Sequence, residues 1–419
     1  MRKREDEELI PSGIELLGKM PIGWEINKIG RVVKFFTGAT PPTGDTASYE
    51  GDKMWANISD LGSRYICRTS KTISETAAKK ANILESPTNS LLFSFKLSLG
   101  KVSIVKQPMY SNEAIATFLG NDGIEINWAY YAFPVFIPMN SKINIYGSPL
   151  LNADLINSAK IMVPPLDEQQ SIAVFLDTET GKVDNFVDEL TKLKGKLEAQ
   201  RKSLISECVT KGIPDDRDRE YKDSGVEWLG EIPVEWGLRP FGKSVVLISK
   251  KIKSTQNRIS LDMIQSGNGA ISSNEENDFV GDGVAFAGGD VLFGKLRPYL
   301  NKSYYAESHG DAFGDIHVYR PNEDVAGKYL FYFTLMDGFV KEANRTASGV
   351  KMPRASWGNI TKFAFTLPSL PEQQKIADYL DFECVKINSL TGEIDNQISL
   401  LKTYRKSLIN EVVTGKVEV

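Results

Sequence analysis

Two related stretches, 204 residues apart, determine how this chain of 419 residues folds. The first reads Glu168-Gln169-Gln170-Ser171-Ile172-Ala173, and the second reads Glu372-Gln373-Gln374-Lys375-Ile376-Ala377. At the same shift, Arg201-Lys202-Ser203-Leu204-Ile205 matches Arg405-Lys406-Ser407-Leu408-Ile409. Because matches of this length rarely arise by chance, the sequence indicates an internal duplication.

A second repeat opens each half of the chain. The segment Ser12–Gly18 recurs as Ser224–Gly230, and in both halves a proline and then a tryptophan follow shortly afterwards. The intervening segments, 26–163 and 238–367, align only in fragments. Two similar frames therefore enclose two divergent inserts.

Apolar residues recur at every seventh position after each matched stretch. Heptads sustained over five repeats are typical of a long helix in a coiled coil. Prolines precede each segment and a glycine follows it, as at many helix ends. The predicted seam consists of Leu176, Val183, Leu190, Leu197, Leu204, Leu380, Ile387, Ile394, Leu401 and Leu408. The predicted companion column consists of Ile172, Glu179, Phe186, Leu193 and Gln200, with Ile376, Glu383, Leu390, Gln397 and Tyr404 in the second helix.

We expect the two predicted helices to pair with each other, since one chain holds both at a high effective concentration. The alternative is that each helix packs separately on its own domain. Antiparallel pairing is favoured, because a parallel pair would bring the carboxylates of Glu179 and Glu383 together in the seam. It would place Glu179 near Lys402–Lys406, and Glu383 near Arg201 and Lys202.

The inserts combine the patterns of strands and helices. Short apolar or alternating runs such as Leu91–Phe95 and Ile316–Tyr319 predict strands, and aromatic patches such as Trp128–Phe133 predict core helices. The predicted fold class is therefore α+β, with two mixed α/β domains separated by two long helices that pair as an antiparallel coiled coil in a pseudo-twofold repeat. The predicted domains are residues 1–165 and 213–370, and the predicted repeated helices are residues 166–212 and 371–419.

Composition argues against several classes of protein. No run approaches the ~18 apolar residues of a membrane helix, so we expect no membrane segment. Cys67, Cys208 and Cys384 lie far apart, which disfavours a disulfide scaffold and favours a reducing cytoplasm. The two histidines, His309 and His317, have no cysteine close to them in sequence, so we expect no metal site.

Charge is distributed unevenly along a chain whose net charge is −4. Residues 26–165 hold 14 Lys and Arg against 10 Asp and Glu, and residues 238–370 hold 16 against 13. The inserts are thus the basic parts of an acidic chain, as expected of surfaces that neutralise phosphates. The candidate DNA-binding residues are Lys96, Lys101, Lys295, Arg297, Arg345, Lys351 and Arg354.

Near-matches to catalytic motifs each lack a necessary part. Gly289–Leu296 fits the start of a phosphate-binding loop, but it ends in leucine, and Pro298 follows where a helix must begin. Pro214-Asp215 with Glu220-Tyr221-Lys222 imitates a nuclease pattern, but no predicted strand directs the carboxylates at a shared metal. We therefore predict no catalytic residues and no metal ligands.

The repeated motifs resemble those of one protein family. Pro165–Ala173 and Leu370–Ala377, together with the opening segments that end at Trp24 and Trp236, resemble hallmarks of the DNA-specificity subunits of type I restriction–modification enzymes. The resemblance covers essentially the whole chain, and the doubled pattern with its spacing is specific to that family.

The resemblance implies a non-catalytic role. It implies two target-recognition domains that each read half of a split, asymmetric sequence in double-stranded DNA. It also implies paired helices that hold these domains apart and dock modification (methyltransferase) subunits, of which we expect two. The chain itself would need no cofactor, because adenine methylation with S-adenosylmethionine, and cleavage with ATP and Mg²⁺ by a restriction/translocase subunit, belong to the partners.

Two other classes of function remain at this point. One is a stand-alone nuclease or methyltransferase with unfamiliar motifs, which an assay of the isolated chain would reveal. The other is a coiled-coil scaffold without DNA specificity, which a binding assay against competing random DNA would reveal.

Overall fold

The computed structural model describes residues 1–13, 17–42, 44–143, 147, 149–272 and 281–419. The chain divides into two compact units. Unit 1 comprises Met1–Asp188 and Ile398–Val419, and unit 2 comprises Glu189–Gln397. The expected motif at Ser12–Gly18 lies partly outside the described residues.

Short helices and strands precede each of the two long helices. The helices are α1 Ile29–Val32, α2 Glu75–Lys80, α3 Ile126–Phe136, α4 Ala153–Ser158, α5 Leu166–Lys211, α6 Gly327–Leu335, α7 Asp337–Arg345, α8 Trp357–Ile360 and α9 Leu370–Val413. The strands are β1 Arg2–Lys3, β2 Leu9–Pro11, β3 Lys19–Pro21, β4 Glu25–Lys28, β5 Lys34–Thr37, β6 Lys53–Ala56, β7 Tyr65–Ile66, β8 Lys71–Ile73, β9 Leu91–Ser94, β10 Val102–Val105, β11 Tyr110–Ser111, β12 Ile115–Leu119, β13 Lys142–Ile143, β14 Pro149–Leu150, β15 Lys160–Val163, β16 Tyr221–Asp223, β17 Glu231–Pro233, β18 Gly237–Pro240, β19 Val245–Ile248, β20 Lys251–Ile252, β21 Arg258–Ser260, β22 Gly283–Phe286, β23 Val291–Gly294, β24 Ser303–Tyr305, β25 Gly310–Phe313, β26 Ile316–Pro321, β27 Ala364–Leu367 and β28 Val417–Glu418.

Unit 1 is built on a five-stranded sheet in the order β5-β12-β9-β10-β7, beside a three-stranded sheet β11-β6-β8. The aromatic helix α3 contributes buried side chains to the core of this unit. The ring of Phe133 lies 4.9 Å from that of Phe118 on β12, and Trp128 lies 6.4 Å from Phe133. The predicted aromatic patch is therefore core.

Unit 2 contains two four-stranded sheets, β19-β26-β23-β24 and β20-β22-β25-β21. Its core is also aromatic, with Phe333 of α6 at 4.6 Å from Phe365 of β27, and Phe293 of β23 at 5.5 Å from Phe339 of α7. Both units mix helices with sheets, which confirms the predicted α+β class.

The long helices α5 and α9 have the predicted stop signals. Gly212 and Gly415, just beyond the two helices, have φ of 83° and 71°. This left-handed conformation is easily adopted by glycine, and it commonly terminates helices. At the start of α5, Asp167 and Glu168 place negative charge on the first turn, where the helix dipole favours it.

Most of the predicted seam residues are buried. Within their own units, the buried ones are Leu176, Val183, Leu190, Leu380, Ile387, Ile394 and Leu408. The remaining three, Leu197, Leu204 and Leu401, are partly buried.

The predicted companion column is wrong beyond the first turns. Phe186, Leu193, Leu390 and Tyr404 are all exposed. The buried or partly buried column lies one residue further along each helix and is more polar. It consists of Ala173, Thr180, Val187, Lys194, Arg201 and Cys208 in α5, and Ala377, Cys384, Thr391, Ile398, Arg405 and Val412 in α9.

The two long helices run antiparallel within each unit. In unit 2, Lys194 pairs with Asp395 at 2.7 Å and Arg201 donates to Asn388 at 2.6 Å. Residue numbers therefore rise along α5 as those of the contacting residues fall along α9. In unit 1, Arg405 of α9 contacts Asp184 of α5 at 2.9 Å. The predicted direction is confirmed.

The predicted partners of the two glutamates are wrong. Glu179 pairs with Lys182 and Glu383 pairs with Lys386, each within its own helix. Because the buried companion column lies one residue further along each helix, these carboxylates stay partly exposed and need no partner from the other helix.

Candidate nucleic-acid interface

The glutamate of each repeated motif joins the entry segment of its unit to a long helix. In unit 1, Glu168 accepts hydrogen bonds from the indole Nε1 of Trp24 at 2.9 Å and from the guanidinium of Arg4 at 2.5 Å. The same arrangement recurs in unit 2 with Glu372, Trp236 at 3.0 Å and Arg219 at 2.7 Å. Charge-assisted bonds of this kind fix orientation strongly.

The next residue, a buried glutamine, joins each long helix to the aromatic helix of the insert. Gln169 donates to the carbonyl oxygens of Gly123 at 2.9 Å and Pro164 at 3.0 Å, and it accepts from the backbone N–H of Glu125 at 2.9 Å. In unit 2, the equivalents are Gln373 with Asp324, Pro368 and Ala326. Each polar atom of this side-chain amide thus has a partner, two near the start of α3 or α6 and one just before the long helix itself.

Two turns along, an aspartate completes the set of contacts. Asp177 accepts from the Tyr131 hydroxyl at 2.6 Å and from Arg64 at 2.6 Å. Its equivalent, Asp381, accepts from the Tyr332 hydroxyl at 2.7 Å and from the Lys328 ammonium. Burial, reinforced by the hydrogen bond to the aspartate, raises the pKa of both tyrosines, so each remains a neutral donor.

We call these three contacts, made by the glutamate, glutamine and aspartate of each motif, the docking triad. Each triad directs its polar groups at the entry segment and the insert of its own unit. The repeat of this pattern in the sequence is therefore explained by the contacts that hold each entry segment and insert on the long helices.

The phosphate-loop near-match lacks the geometry of such a loop, whereas the nuclease-like pattern at Glu220-Tyr221-Lys222 runs into a short strand, β16, that was not predicted. Gly289–Gly294 runs into strand β23, and Lys295 begins a hairpin rather than a helix, so the segment forms no phosphate-binding loop. Across the described ranges, no group of three or more His, Cys, Asp and Glu side chains is arranged to hold a metal ion. Nor is any described helix long and apolar enough to cross a membrane.

The candidate residues of unit 1 lie in the loop that joins strands β9 and β10. Lys96 is exposed, and its ammonium lies 5.6 Å from the ring centroid of Phe95. Lys101 lines a groove of about 520 Å³ together with Lys402, Arg405 and Lys406 of α9. The sequence analysis missed this basic groove, although spacings of three and four residues place the α9 cations on one helix face.

Three candidates of unit 2 are brought together around Asp315. Arg354 pairs with this carboxylate at 2.8 Å, and Lys295 lies 3.8 Å away. The hydrogen bond from Arg354 lowers the pKa of Asp315, so the carboxylate stays charged. Arg297 joins the same loops through its backbone N–H, which donates to the carbonyl of Pro353 at 2.7 Å.

The remaining two candidates are placed differently. Lys351 is exposed and lies between the exposed side chains of Val350 and Met352. Arg345 forms a bond of 2.5 Å with Glu342 on its own helix α7, so its charge is already partly neutralised. Arg345 shares this partial neutralisation with Arg354, which pairs with Asp315.

Comparison with known proteins identifies the family. The family described as "Type I restriction modification DNA specificity domain" matches residues 21–198 and 271–400. The type I restriction enzyme MjaIX specificity subunit of Methanocaldococcus jannaschii is 23% identical over 96% of this chain and 95% of its own length. The EcoDI specificity subunit of Escherichia coli is 23% identical over 95% of this chain and 90% of its own.

A solved structure shares the fold. It comes from work on the structural basis of complex assembly and conformational transition of the type I R-M system, and it aligns with a TM-score of 0.69 at 14% identity. The alignment covers 95% of this chain and 99% of that one, and at this identity it speaks to the fold alone. Since the family match spans most of the sequence, the chain belongs to the type I restriction–modification DNA specificity family, as a specificity subunit and not as a catalytic one.

Proposed function

We propose that this chain reads a bipartite, asymmetric sequence in double-stranded DNA, with one recognition domain for each half. The observation that carries the proposal is the repeated docking triad. The same contacts seat each insert on the long helices, whereas the exposed loops of the two inserts differ in sequence. Two domains that are held by the same contacts but expose different loops are suited to recognising two different half-sites.

We assign the recognition domains to residues 1–165 and 213–370, and the repeated helices to 166–212 and 371–419. Phosphate contacts fall to Lys96, Lys101, Lys295, Arg297, Arg345, Lys351 and Arg354. If these cations neutralise phosphates, binding weakens steeply with salt, with a slope of about −0.9 per phosphate contacted.

The helices also dock modification subunits in this proposal. Each unit leaves large apolar side chains of its long helices exposed, and such side chains mark sites of protein association when they lie together. They include Val174, Phe186, Leu400 and Tyr404 in unit 1, and Leu193, Phe382, Val385 and Leu390 in unit 2. Two modification subunits with S-adenosylmethionine, and a restriction/translocase subunit with ATP and Mg²⁺, would then act in the cytoplasm at the site that this chain selects.

The test is an exchange of one insert. The chain is assembled with its modification subunits, and methylated adenines are mapped before and after residues 26–163 are replaced by those of another family member. We expect one half of the methylated sequence to change and the other half to stay. A change in both halves, or in neither, contradicts independent reading.

The isolated chain supplies the control. Purified without partners, it should bind DNA but show neither methylation with added S-adenosylmethionine nor cleavage with added ATP and Mg²⁺. Turnover by the pure chain would refute the proposal that methylation and cleavage belong to the partner subunits.

A further inference from the structure

Each unit contains a hairpin with one strained, exposed residue in its loop. In the hairpin β9–β10, Leu92 pairs with Ser103, and in the hairpin β23–β24, Leu292 pairs with Tyr304. Five residues beyond Leu92 and Leu292 lie Leu97 and Arg297. Each lies in the loop that joins the two strands of its hairpin.

Both residues have a left-handed backbone. The φ angle is 59° at Leu97 and 49° at Arg297, a region that disfavours residues with a Cβ atom. Neighbouring hydrogen bonds hold this conformation, since the carbonyl of Leu97 accepts from the N–H of Leu99 at 3.1 Å and that of Arg297 accepts from Leu300 at 2.9 Å. A strained backbone at an exposed loop residue in each of the two domains points to use.

Burial does not compensate for this strain. The side chain of Leu97 is 96% exposed, and Arg297 is exposed as well. Glycine would adopt the same backbone without strain, yet neither domain has it. The side chains themselves must therefore contribute something outside the folded chain.

The surroundings indicate what they contact. Lys96 lies next to Leu97, while Lys295 and Arg354 lie on the loops that hold Arg297. Cations of this kind bind phosphates, and they would bring each hairpin tip against the edges of the bases.

Resting on the proposed function, we propose that Leu97 and Arg297 are specificity-determining residues, each for its own half-site. Leu97 would make apolar contact with a thymine methyl group, and Arg297 would donate two hydrogen bonds to O6 and N7 of a guanine. One position of each half-site is thereby assigned a base by side-chain chemistry.

The experiment uses the chain assembled with its modification subunits and S-adenosylmethionine. Methylated adenines are mapped for the unaltered chain, for Leu97→Gly and for Arg297→Gly. Glycine suits the left-handed backbone, so both variants should melt at the same temperature or higher. Leu84→Ala, which alters another exposed leucine of unit 1 whose φ is not positive, is the matched control.

We expect Arg297→Gly to lower the preference for guanine at one position of one half-site by roughly ten- to a hundredfold. Leu97→Gly should relax a thymine position of the other half-site, and Leu84→Ala should change neither. Unchanged selectivity in both glycine variants would overturn the inference while leaving the proposed function intact. An unaltered chain that directs methylation to no bipartite site would overturn both.

Discussion

At the scale of single residues, the docking triad shows how a repeated motif can be structural throughout. Glu168 accepts hydrogen bonds from both the Trp24 indole and the Arg4 guanidinium. Its neighbour Gln170 belongs to the same motif but is exposed. The motif could be found in the sequence, but the atoms that Glu168 contacts could not, because they come from segments more than 140 residues away.

The first prediction concerns this glutamate. Glu168→Ala leaves two donors without their acceptor, so the free energy of unfolding of unit 1 should fall by about 1–3 kcal/mol. Gln170→Ala should change it by less than about 0.5 kcal/mol, as at most exposed positions. Denaturant unfolding measures both, and equal losses in the two variants would show that the triad does not anchor the entry segment.

The second prediction concerns pH. Burial, with a further contribution from the charge of Lys295, lowers the pKa of His317 to about 4, although Asp315 opposes the shift. The unfolded chain takes up this proton below its ordinary pKa of about 6.5, whereas the folded chain resists protonation until about pH 4. The stability contributed by neutral His317 is therefore complete above about pH 6.5 and is lost as the pH falls towards 4.

The expected loss is about 2–3 kcal/mol over that interval. Unfolding of His317→Gln should lack this part of the pH dependence, and the exposed His309→Gln serves as the matched control. If His317→Gln has the same acid profile as the unaltered chain, the buried imidazole is not responsible.

At the scale of elements, the heptad pattern predicted the long helices and one seam column but misplaced the other. Phe186 and Leu193 are apolar and correctly spaced, so periodicity favoured them, yet they are exposed. The true column includes Lys194 and Arg201, whose polar ends reach Asp395 and Asn388 on the facing helix. Hydrophobic periodicity could not find residues that are buried along their stems and paired at their tips.

The third prediction follows from the exposed apolar side chains. Leu390→Asp should weaken binding of a modification subunit at least about tenfold, because a carboxylate is costly in an apolar interface. It should leave the melting temperature unchanged, since Leu390 is exposed in the chain itself. Asn396→Asp, an exposed position on a different face of the same helix, is the control, and titration calorimetry gives both affinities. Equal affinities would remove this side chain from the docking surface.

At the scale of the whole molecule, the duplication could be predicted from the sequence, but the composition of the compact units could not. The 204-residue repeat is the same along both helices, so it does not reveal which part of each helix packs into which unit. In the structure, the core of unit 1 includes Leu408, Val412, Val413 and Val417 from the far end of the chain. Strand β1 also pairs with β28, with Arg2 opposite Glu418.

The fourth prediction is that removal of residues 398–419 damages the two units unequally. Unit 1 loses four buried apolar side chains, which together contribute about 6–12 kcal/mol and so match the whole stability of a typical domain. Unit 2 keeps all of its own residues. Scanning calorimetry of the shortened chain should retain one cooperative transition and lose another. A uniform shift of all transitions would mean that the units do not unfold separately.

The interleaving of unit 1 has a consequence for biosynthesis. A ribosome makes unit 2 as one continuous stretch, whereas unit 1 waits for residues 398–419, which emerge only after unit 2 is finished. At about 5–20 residues per second, the 209 residues from Glu189 to Gln397 delay completion of unit 1 by roughly 10–40 seconds. During that interval the nascent chain exposes the apolar face that Leu408, Val412 and Val413 later cover. Chaperones can bind this face, and proteases can cleave the incomplete unit, until residues 398–419 are made.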